Sequence, residues 1–465
     1  MEHIHLIGIG GSGLSAIATV LLERGYRVSG SDRQETPQTR RLQEIGARIH
    51  YGHRAENIAG ADRVVRSSAV RDDNVEVLAA QAAGIPVLKR ADFLEQLLAG
   101  QMPLAIAGTH GKTTTTAMLA WVLSDLGADP SYVIGSVAAN LGQNAHAGAG
   151  RYFVIEADEY DRMFLGIRPY IAIVTNVEHD HPDCYPTPED FYQAFQEFTG
   201  RVQAGGALVA CGDDPGALRL LEYARWAGLR AVSYGTGAYD YRAAKLQPDA
   251  SGGLAFDFFR AEELLLEKIA LQVPGEHNVR NALAVLSTVD LLGMPLERAA
   301  QALQQFRGSG RRFEVRGEYR GVTLIDDYAH HPTEIRATLS GARLRYPGRR
   351  LWAVWQPHTY SRTRTLFDQF SAAFTAADCV LVTEVYAARE PLPDDGFSAR
   401  QVVEAIALRE GNAGKTVAFA ASLDEAEDQL ARQVQPGDVV LVLSAGDANQ
   451  INTGLARRWQ ADRLA

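Results

Sequence analysis

The chain has 465 residues, of which 46% are hydrophobic and 22% charged, and a formal net charge of −10. That length suits two to four ordinary cores, and the acidic balance argues against a general binder of nucleic acid or of anionic membranes, though an anionic substrate can still be met by local charge. Three scattered cysteines (Cys184, Cys211 and Cys379), no bilayer-length apolar run and no basic leader before the first strand-like run point away from a disulfide framework, a zinc motif or a membrane span, and predict a cytoplasmic, enzyme-sized protein.

Strand-like runs alternate with helical patterns from end to end, which predicts α/β architecture. Many of the runs ("IHLIGIG", "PLAIAG", "YIAIVTNV", "LWAVWQP", "DVVLVLSAG") are bare apolar stretches, as expected of parallel strands buried on both faces. The first run leads into "GIGGSG", with Gly8, Gly10 and Gly13 in G-x-G-x-x-G register, Gly11 between them and Asp32 about 20 residues on. That fingerprint seats a pyrophosphate on a helix N-terminus without saying which nucleotide carries it; a nicotinamide or flavin dinucleotide and a UDP-linked substrate fit equally. A first joint falls at "AGQMP", residues 99 to 103.

Next comes "AIAGTHGKTTTTAML", residues 105 to 119. Gly111-Lys112-Thr113 ends it as a phosphate loop does, but Ile106 stands where the usual pattern has its first glycine, and Gly108 supplies the flexible point of a shortened loop. A buried strand, this turn and a helix start at Thr113 turn backbone N–H groups toward an anion; Lys112 adds a point charge and the Thr113 hydroxyl can reach Mg²⁺. "FVIEADEYD" then offers Glu156, Asp158, Glu159 and Asp161 at a strand end, and "TNVEHDHPD" offers His179, Asp180 and His181 after the next strand. Each loop alone reads equally as solvated surface; together on one sheet edge they suit a metal. Around residues 233 to 275, "YDYRAAKLQ", "GGLAFDFFR" and "IALQVPG" alternate like antiparallel strands. A second joint, "FRGSGRRFE" at 306 to 314, precedes "DDYAHHPTEI" and "QPHTYSRTR", which gather Asp326, Asp327, His330, His331, His358, Arg362 and Arg364 at strand ends, where arginines suit phosphate or carboxylate.

Taken in order, "GTHGKTTTT", "EADEYD", "TNVEHDH", "GEHNVRNA", "GSGRRFE", "DDYAHHP" and "QPHTYSRT" resemble the Mur ligase family, from Gly8 to "SAGD" at 444 to 447, and most closely its alanine-adding members. The resemblance implies three domains: a Rossmann-like UDP-substrate domain at 1–100, a central P-loop ATPase domain at 101–308 with a parallel sheet plus a small antiparallel sheet, and a Rossmann-like ligase domain at 309–465. It implies ATP-dependent joining of L-alanine to the lactyl carboxylate of UDP-N-acetylmuramate through an acyl phosphate, with two Mg²⁺ ions (Mn²⁺ as a substitute), no nucleic-acid or membrane partner, and a monomer or weak homodimer. Residue by residue, Gly108, Thr109, His110, Gly111, Lys112, Thr113 and Thr114 would hold the ATP phosphates, and Lys112 the transferred phosphoryl group. Thr113 with Glu156 would hold one Mg²⁺, and Glu156 with His181 the second. His277, Asn278 and Asn281 match adenine-side contacts, and Arg312 a phosphate-side arginine. Tyr328, His330 and Arg362 match the amino-acid pocket, with His330 among the catalytic groups. Gly8, Gly10, Gly11, Gly13, Asp32, His53 and Ser67 match the UDP side.

No lysine occurs between Lys112 and Lys245, so the carbamylated lysine with which later-acting family members bind metal has no counterpart here. Two positions depart from the alanine-adding pattern: Thr359 stands where an arginine is common, and Ser444 where a glycine is common. Related ligases that attach a preformed tripeptide should carry extra sequence around the acidic motif. A nicotinamide oxidoreductase would leave the phosphate loop and both histidine motifs idle. A non-catalytic nucleotide-binding regulator would not need Lys112, Glu156 and His181 together.

Overall fold

The computed structural model describes residues 2–410 and 414–461 and contains three sheets. The first is wholly parallel, in the order Arg48–Tyr51, Arg27–Asp32, His3–Ile7, Arg63–Arg66, Val87–Lys89. The second has ten strands. Met102–Ala107 lies at its centre between parallel neighbours Tyr152–Glu156 and Ile171–Val174, and the latter continues into Ala207–Cys211 and Ala231–Gly235. The third pairs Glu314–Tyr319 antiparallel to Val322–Asp327, followed by Val439–Leu443, Leu351–Trp355, Cys379–Thr383 and Thr416–Ala420 in parallel.

The bare apolar runs are central strands covered on both faces. In the third sheet Leu351, Ala353 and Trp355 pack into one core while Trp352 and Val354 pack into the core on the opposite face. The antiparallel strands of the middle region, Tyr241–Pro248, Leu254–Arg260 and Glu263–Ala270, join the edge of the parallel sheet through a short parallel pair, Tyr234 opposite Tyr241 and Gly235 opposite Arg242. The third of them is displaced from the expected "IALQVPG". It runs through "ELLLEKIA", and residues after Ala270 lead instead to the helix Glu276–Leu291, because Pro274 removes a ladder donor and Gly275 turns the chain at φ 94°.

This topology brings the motifs together. The phosphate, acidic and histidine loops each follow the C-terminal end of a parallel strand, where an open α/β sheet binds ligands. Because Met102–Ala107 lies between Tyr152–Glu156 and Ile171–Val174, the loop 108–111 is flanked by the acidic and histidine loops.

Candidate active site

The loop 108–111 joins its strand to the helix Lys112–Asp125. Two glycines are required here. Gly108 has φ 134°, and a Cβ on it would stand 2.1 Å from Thr175 Oγ1; Gly111 caps the helix at φ 81°, and a Cβ there would stand 2.8 Å from Asn281 Oδ1. The shortened loop therefore keeps glycine where backbone and neighbours leave no room for a side chain. Thr109 braces it by donating to Glu178 O (2.7 Å) and accepting from Glu178 N (2.9 Å). Lys112 is enclosed: Nζ donates to Gly108 O (2.5 Å) and Glu159 Oε1 (2.9 Å). Burial opposes its charge, but Glu159 outweighs burial and holds the ammonium above its usual range.

Thr113 Oγ1 donates to Glu156 Oε1 at 3.0 Å, and Gly135 N donates to Glu156 Oε2 at 2.7 Å. Two oxygens 3.0 Å apart span one edge of an octahedron with metal–oxygen distances of about 2.1 Å, so this donor pair fits Mg²⁺. Burial raises the Glu156 carboxyl, and nearby Lys112 only partly offsets it. His181 Nε2 lies 3.5 Å from Glu159 Oε1 and 3.7 Å from Asp180 Oδ2. Glu159 is thus shared between Lys112 and His181, a role that nothing in the spacing of "EADEYD" separates from that of its neighbouring acids. His179 is committed to Tyr185 O at 2.8 Å.

Behind the loop lies a pocket of about 310 Å³ lined by His110, Gly111, Thr114, His277, Asn278, Asn281 and Arg312. Burial, then Arg280 and Arg312, bring His277 down to about 4, leaving a neutral ring in a pocket of a size for a purine. Across its mouth His110 lies between Glu178 (3.1 Å) and Glu334 (3.3 Å), and Thr333 Oγ1 donates to Glu178 Oε1 (3.0 Å), tying the second sheet's loops to the helix Pro332–Arg345. His110, Glu178 and His331 also place their donor atoms within 4.8 Å of one another. Burial opposes the charge on His110, yet Glu178 and Glu334 raise it to about 9. Its folded value thus lies above the unfolded 6.5. The stabilisation, on the order of 3 kcal/mol, is fully present below pH 6.5 and is lost as pH rises through 9. Thermal unfolding followed from pH 6 to 9.5 should show a falling transition temperature in the native chain and a flatter profile in His110→Gln.

At the first sheet, Gly10 N donates to Asp32 Oδ2 at 2.8 Å, so Asp32 fastens the glycine loop itself. His53 Nδ1 lies 3.2 Å from Ser31 Oγ, beside the buried Glu76. Ser67 lines a cavity of about 490 Å³ with Arg66, Lys89, Arg90 and, from the second sheet's loops, Asp161 and Met163. Arg90, which in sequence reads as an ordinary helix start, lies over the glycine loop: a Cβ on Gly13 would stand 1.7 Å from its Nη1. Its Nη2 meets Asp158 Oδ2 at 3.2 Å, and its Nε is buried without a hydrogen-bond partner.

In the third sheet, Tyr328 lies under the guanidinium groups of Arg311 and Arg312, 4.7 and 5.1 Å from the ring centre. His330 is brought down to about 3, first by burial and then by Arg362, against the opposing pull of Glu334, so it is neutral and unprotonated at any working pH. Arg362 reaches away to Asp180, and Arg364 pairs with Asp395 at the surface. Thr359 caps the helix Tyr360–Thr365 at φ 65°, accepting from Arg362 N. Ser444 is accommodated without disturbance: its hydroxyl donates to Gln356 Oε1 (2.6 Å) and accepts from Gly446 N (2.9 Å).

Comparison with known proteins matches residues 3–102 to the model described as "Mur ligase family, catalytic domain", 106–289 to "Mur ligase middle domain" and 311–446 to "Mur ligase, glutamate ligase domain". The chain is 44% identical to the UDP-N-acetylmuramate–L-alanine ligase of Roseiflexus sp. (strain RS-1), over 97% of each chain. Among solved structures it superposes on the UDP-N-acetylmuramate–alanine ligase of Thermotoga maritima with a TM-score of 0.83, at 30% identity, covering 99% of this chain and 100% of the other. On a murein peptide ligase from Psychrobacter arcticus it superposes with a TM-score of 0.71, at 26% identity, covering 98% of both.

Proposed function

Since the chain belongs to the Mur ligase family, we propose that it joins L-alanine to the carboxylate of UDP-N-acetylmuramate, consuming ATP and releasing ADP and phosphate, as the first amino-acid addition of peptidoglycan precursor synthesis in the cytoplasm. The observation that carries the reading is the convergence of the Lys112 loop, the Thr113–Glu156 pair and His181 beside a purine-sized pocket.

The chemistry asks for these groups. A carboxylate must be activated before an amine can displace its oxygen, and phosphorylation supplies the leaving group. That step brings two anions together, so cations have to be placed beforehand. Lys112 leaves Glu159 for the γ-phosphate and stabilises the transferred group. Thr113 and Glu156 would hold one Mg²⁺, and Glu156 with His181 a second, and ions held there would supply screening of the phosphate charges and polarisation of the acceptor carboxylate. His277, Asn278 and Asn281 hold the adenine, Arg312 the phosphate side, and Tyr328 and His330 the amino-acid side. His330, held neutral, adds no positive charge to the amino-acid side and serves there to orient the incoming amine. The UDP diphosphate lies on Gly8 to Gly13 beneath Arg90, with His53 and Ser67 toward the nucleoside. We take the working form to be a monomer or weak homodimer.

ADP release that requires both UDP-N-acetylmuramate and L-alanine tests the reading; release that requires a preformed tripeptide instead of alanine would replace it. A second test concerns the glycine loop. Gly13→Ala forces Arg90 off the loop and should weaken UDP-substrate binding by about tenfold or more, the loss of one charge-assisted contact, as read by calorimetry without ATP.

A further inference from the structure

We propose that the buried Glu76 is a positioning residue for the UDP substrate: through Ser31 it fixes the ring proton of His53 on Nδ1, so that Nε2 is presented to the nucleoside as a hydrogen-bond acceptor. The ligand in this proposal rests on the ligase reading; the placement of the proton rests on separate geometry.

Glu76 lies in the first turn of the helix Val75–Ala82 and is 0% exposed. Its Oε2 accepts from Ser31 Oγ at 2.6 Å and lies 3.2 Å from His5 Nε2. Its Oε1 accepts from Asn57 Nδ2 at 2.6 Å and from Arg54 N at 3.2 Å, and lies 3.5 Å from His53 Nδ1. Asn57 Nδ2 also donates to Gly52 O at 3.0 Å. One carboxylate therefore ties down the chain on both sides of His53, Arg54 directly and Gly52 through Asn57. This segment leaves the C-terminal end of the strand Arg48–Tyr51, at the edge where an open parallel sheet binds its ligands. It is joined there to the glycine loop: Gly52 N donates to Asp32 O (2.8 Å), and Ser31 O accepts from Gly8 N (2.8 Å) and Ile9 N (3.1 Å).

The direction of each hydrogen bond follows from the charge on Glu76. Burial alone would raise its carboxyl, but His5, Ser31 and Asn57 outweigh burial and hold it down at about 2. An ionised carboxylate only accepts, so the single hydroxyl hydrogen of Ser31 is committed to it. Toward His53 Nδ1, 3.2 Å away, Ser31 Oγ can then only accept, and Nδ1 must carry the proton. In a neutral ring Nε2 is left with its lone pair. The His53 side chain is 23% exposed, and its Nε2 has no hydrogen-bond partner among the described residues. Such an acceptor suits one of two nucleoside donors, the uracil N3–H or the ribose 2′-hydroxyl. Cohesion alone would not need the charge. A glutamine at position 76 could give its oxygen to Asn57 and Arg54 N and turn its amide N–H groups to Ser31 and His5. Ser31 would then accept from the amide and donate to His53 Nδ1, and the ring proton would move to Nε2.

NMR of the ring nitrogens reads the proton directly. At about pH 8, where an imidazole is neutral, His53, assigned by its loss in His53→Gln, should carry hydrogen on Nδ1 in the native chain and on Nε2 in Glu76→Gln. By calorimetry Glu76→Gln should bind the UDP substrate on the order of tenfold more weakly, and its KM for that substrate should rise by a like factor, with kcat and the KM for ATP within about threefold of native. CDP, which lacks the N3–H, and 2′-deoxy-UDP tell the two donors apart. One of them should compete on the order of tenfold more weakly than UDP for the native chain and lose most of that disadvantage with Glu76→Gln. A merely structural carboxylate predicts a lower unfolding temperature in Glu76→Gln with the His53 tautomer and the UDP-substrate affinity unchanged, and that result overturns the proposal. A swapped tautomer with unchanged affinity overturns it as well. If Glu76→Gln fails to fold, the native chain carries the test: hydrogen on Nδ1 with one analogue disfavoured supports the proposal, and hydrogen on Nε2, or equal competition by all three nucleotides, overturns it. A native chain that binds no UDP substrate would instead defeat the ligase reading, while the His53 tautomer would still be read.

Discussion

Lys112→Ala should abolish turnover, lowering kcat by at least about a thousandfold, while leaving the affinity of the free enzyme for the UDP substrate within about threefold. Lys112 stands at the N-terminus of the helix Lys112–Asp125, enclosed by Gly108 O and Glu159. The glycine loop of the first sheet is served by other groups, Asp32 from below and Arg90 from above. The substitution also strands the buried Glu159, which is 1% exposed, so stability should fall by about 3 to 5 kcal/mol, the cost of breaking a buried pair from one side. Lys112→Ala/Glu159→Gln removes the stranded charge and should recover most of that stability with none of the turnover. Lys112→Arg should not rescue activity, because an ammonium fitted at 2.5 Å to a carbonyl has no room for a planar fork. Calorimetry with the UDP substrate and no ATP checks the separation. Complete loss of that binding in the stable double variant would show that the two sites are one.

Much of this site is legible in the sequence because its parts are local. The phosphate loop, the acidic loop and the histidine loop are each a strand followed by a few residues, and a run such as "PLAIAG" announces a central strand by its lack of polar alternation. The strands that escape such reading, among them Val87–Lys89, Ala145–His146 and Glu314–Tyr319, are short or lie at a sheet edge, where half the side chains face solvent and the apolar signal is lost. What spacing cannot give is the pairing between distant loops. Arg90 in "LKRAD" looks like any helix start until it is seen over Gly13. Arg362 looks like a free cation until it is seen on Asp180. Lys112 itself reads as waiting for phosphate, whereas its resting partner is Glu159, three residues beyond the carboxylate that spacing favours.

The second large effect is expected at His181. His181→Ala should lower kcat on the order of 100-fold or more while changing ATP affinity only a few-fold, because Thr113 and Glu156, 3.0 Å apart, still hold the first Mg²⁺. An imidazole binds a cation only when neutral. Burial disfavours the imidazolium, but the neighbouring Glu159 and Asp180 outweigh it and hold His181 above its ordinary value of 6.5 in the absence of the ion. The proton therefore competes with the cation from above pH 6.5 downward, and activity should begin to fall on the acid side earlier than an isolated histidine would dictate. Raising Mg²⁺ should push that acid limb to lower pH, since metal and proton exclude one another, and Glu159→Gln should do the same by removing the partner that favours the imidazolium. In His181→Ala the limb should lose its dependence on Mg²⁺, and added Mg²⁺ or Mn²⁺ should restore turnover only in part. Near-normal turnover of His181→Ala at ordinary Mg²⁺ would remove His181 from the second metal. With Asp180 held by Arg362 and His179 by Tyr185 O, the next donor to test would then be Glu159, whose Oε1 lies 3.5 Å from His181 Nε2.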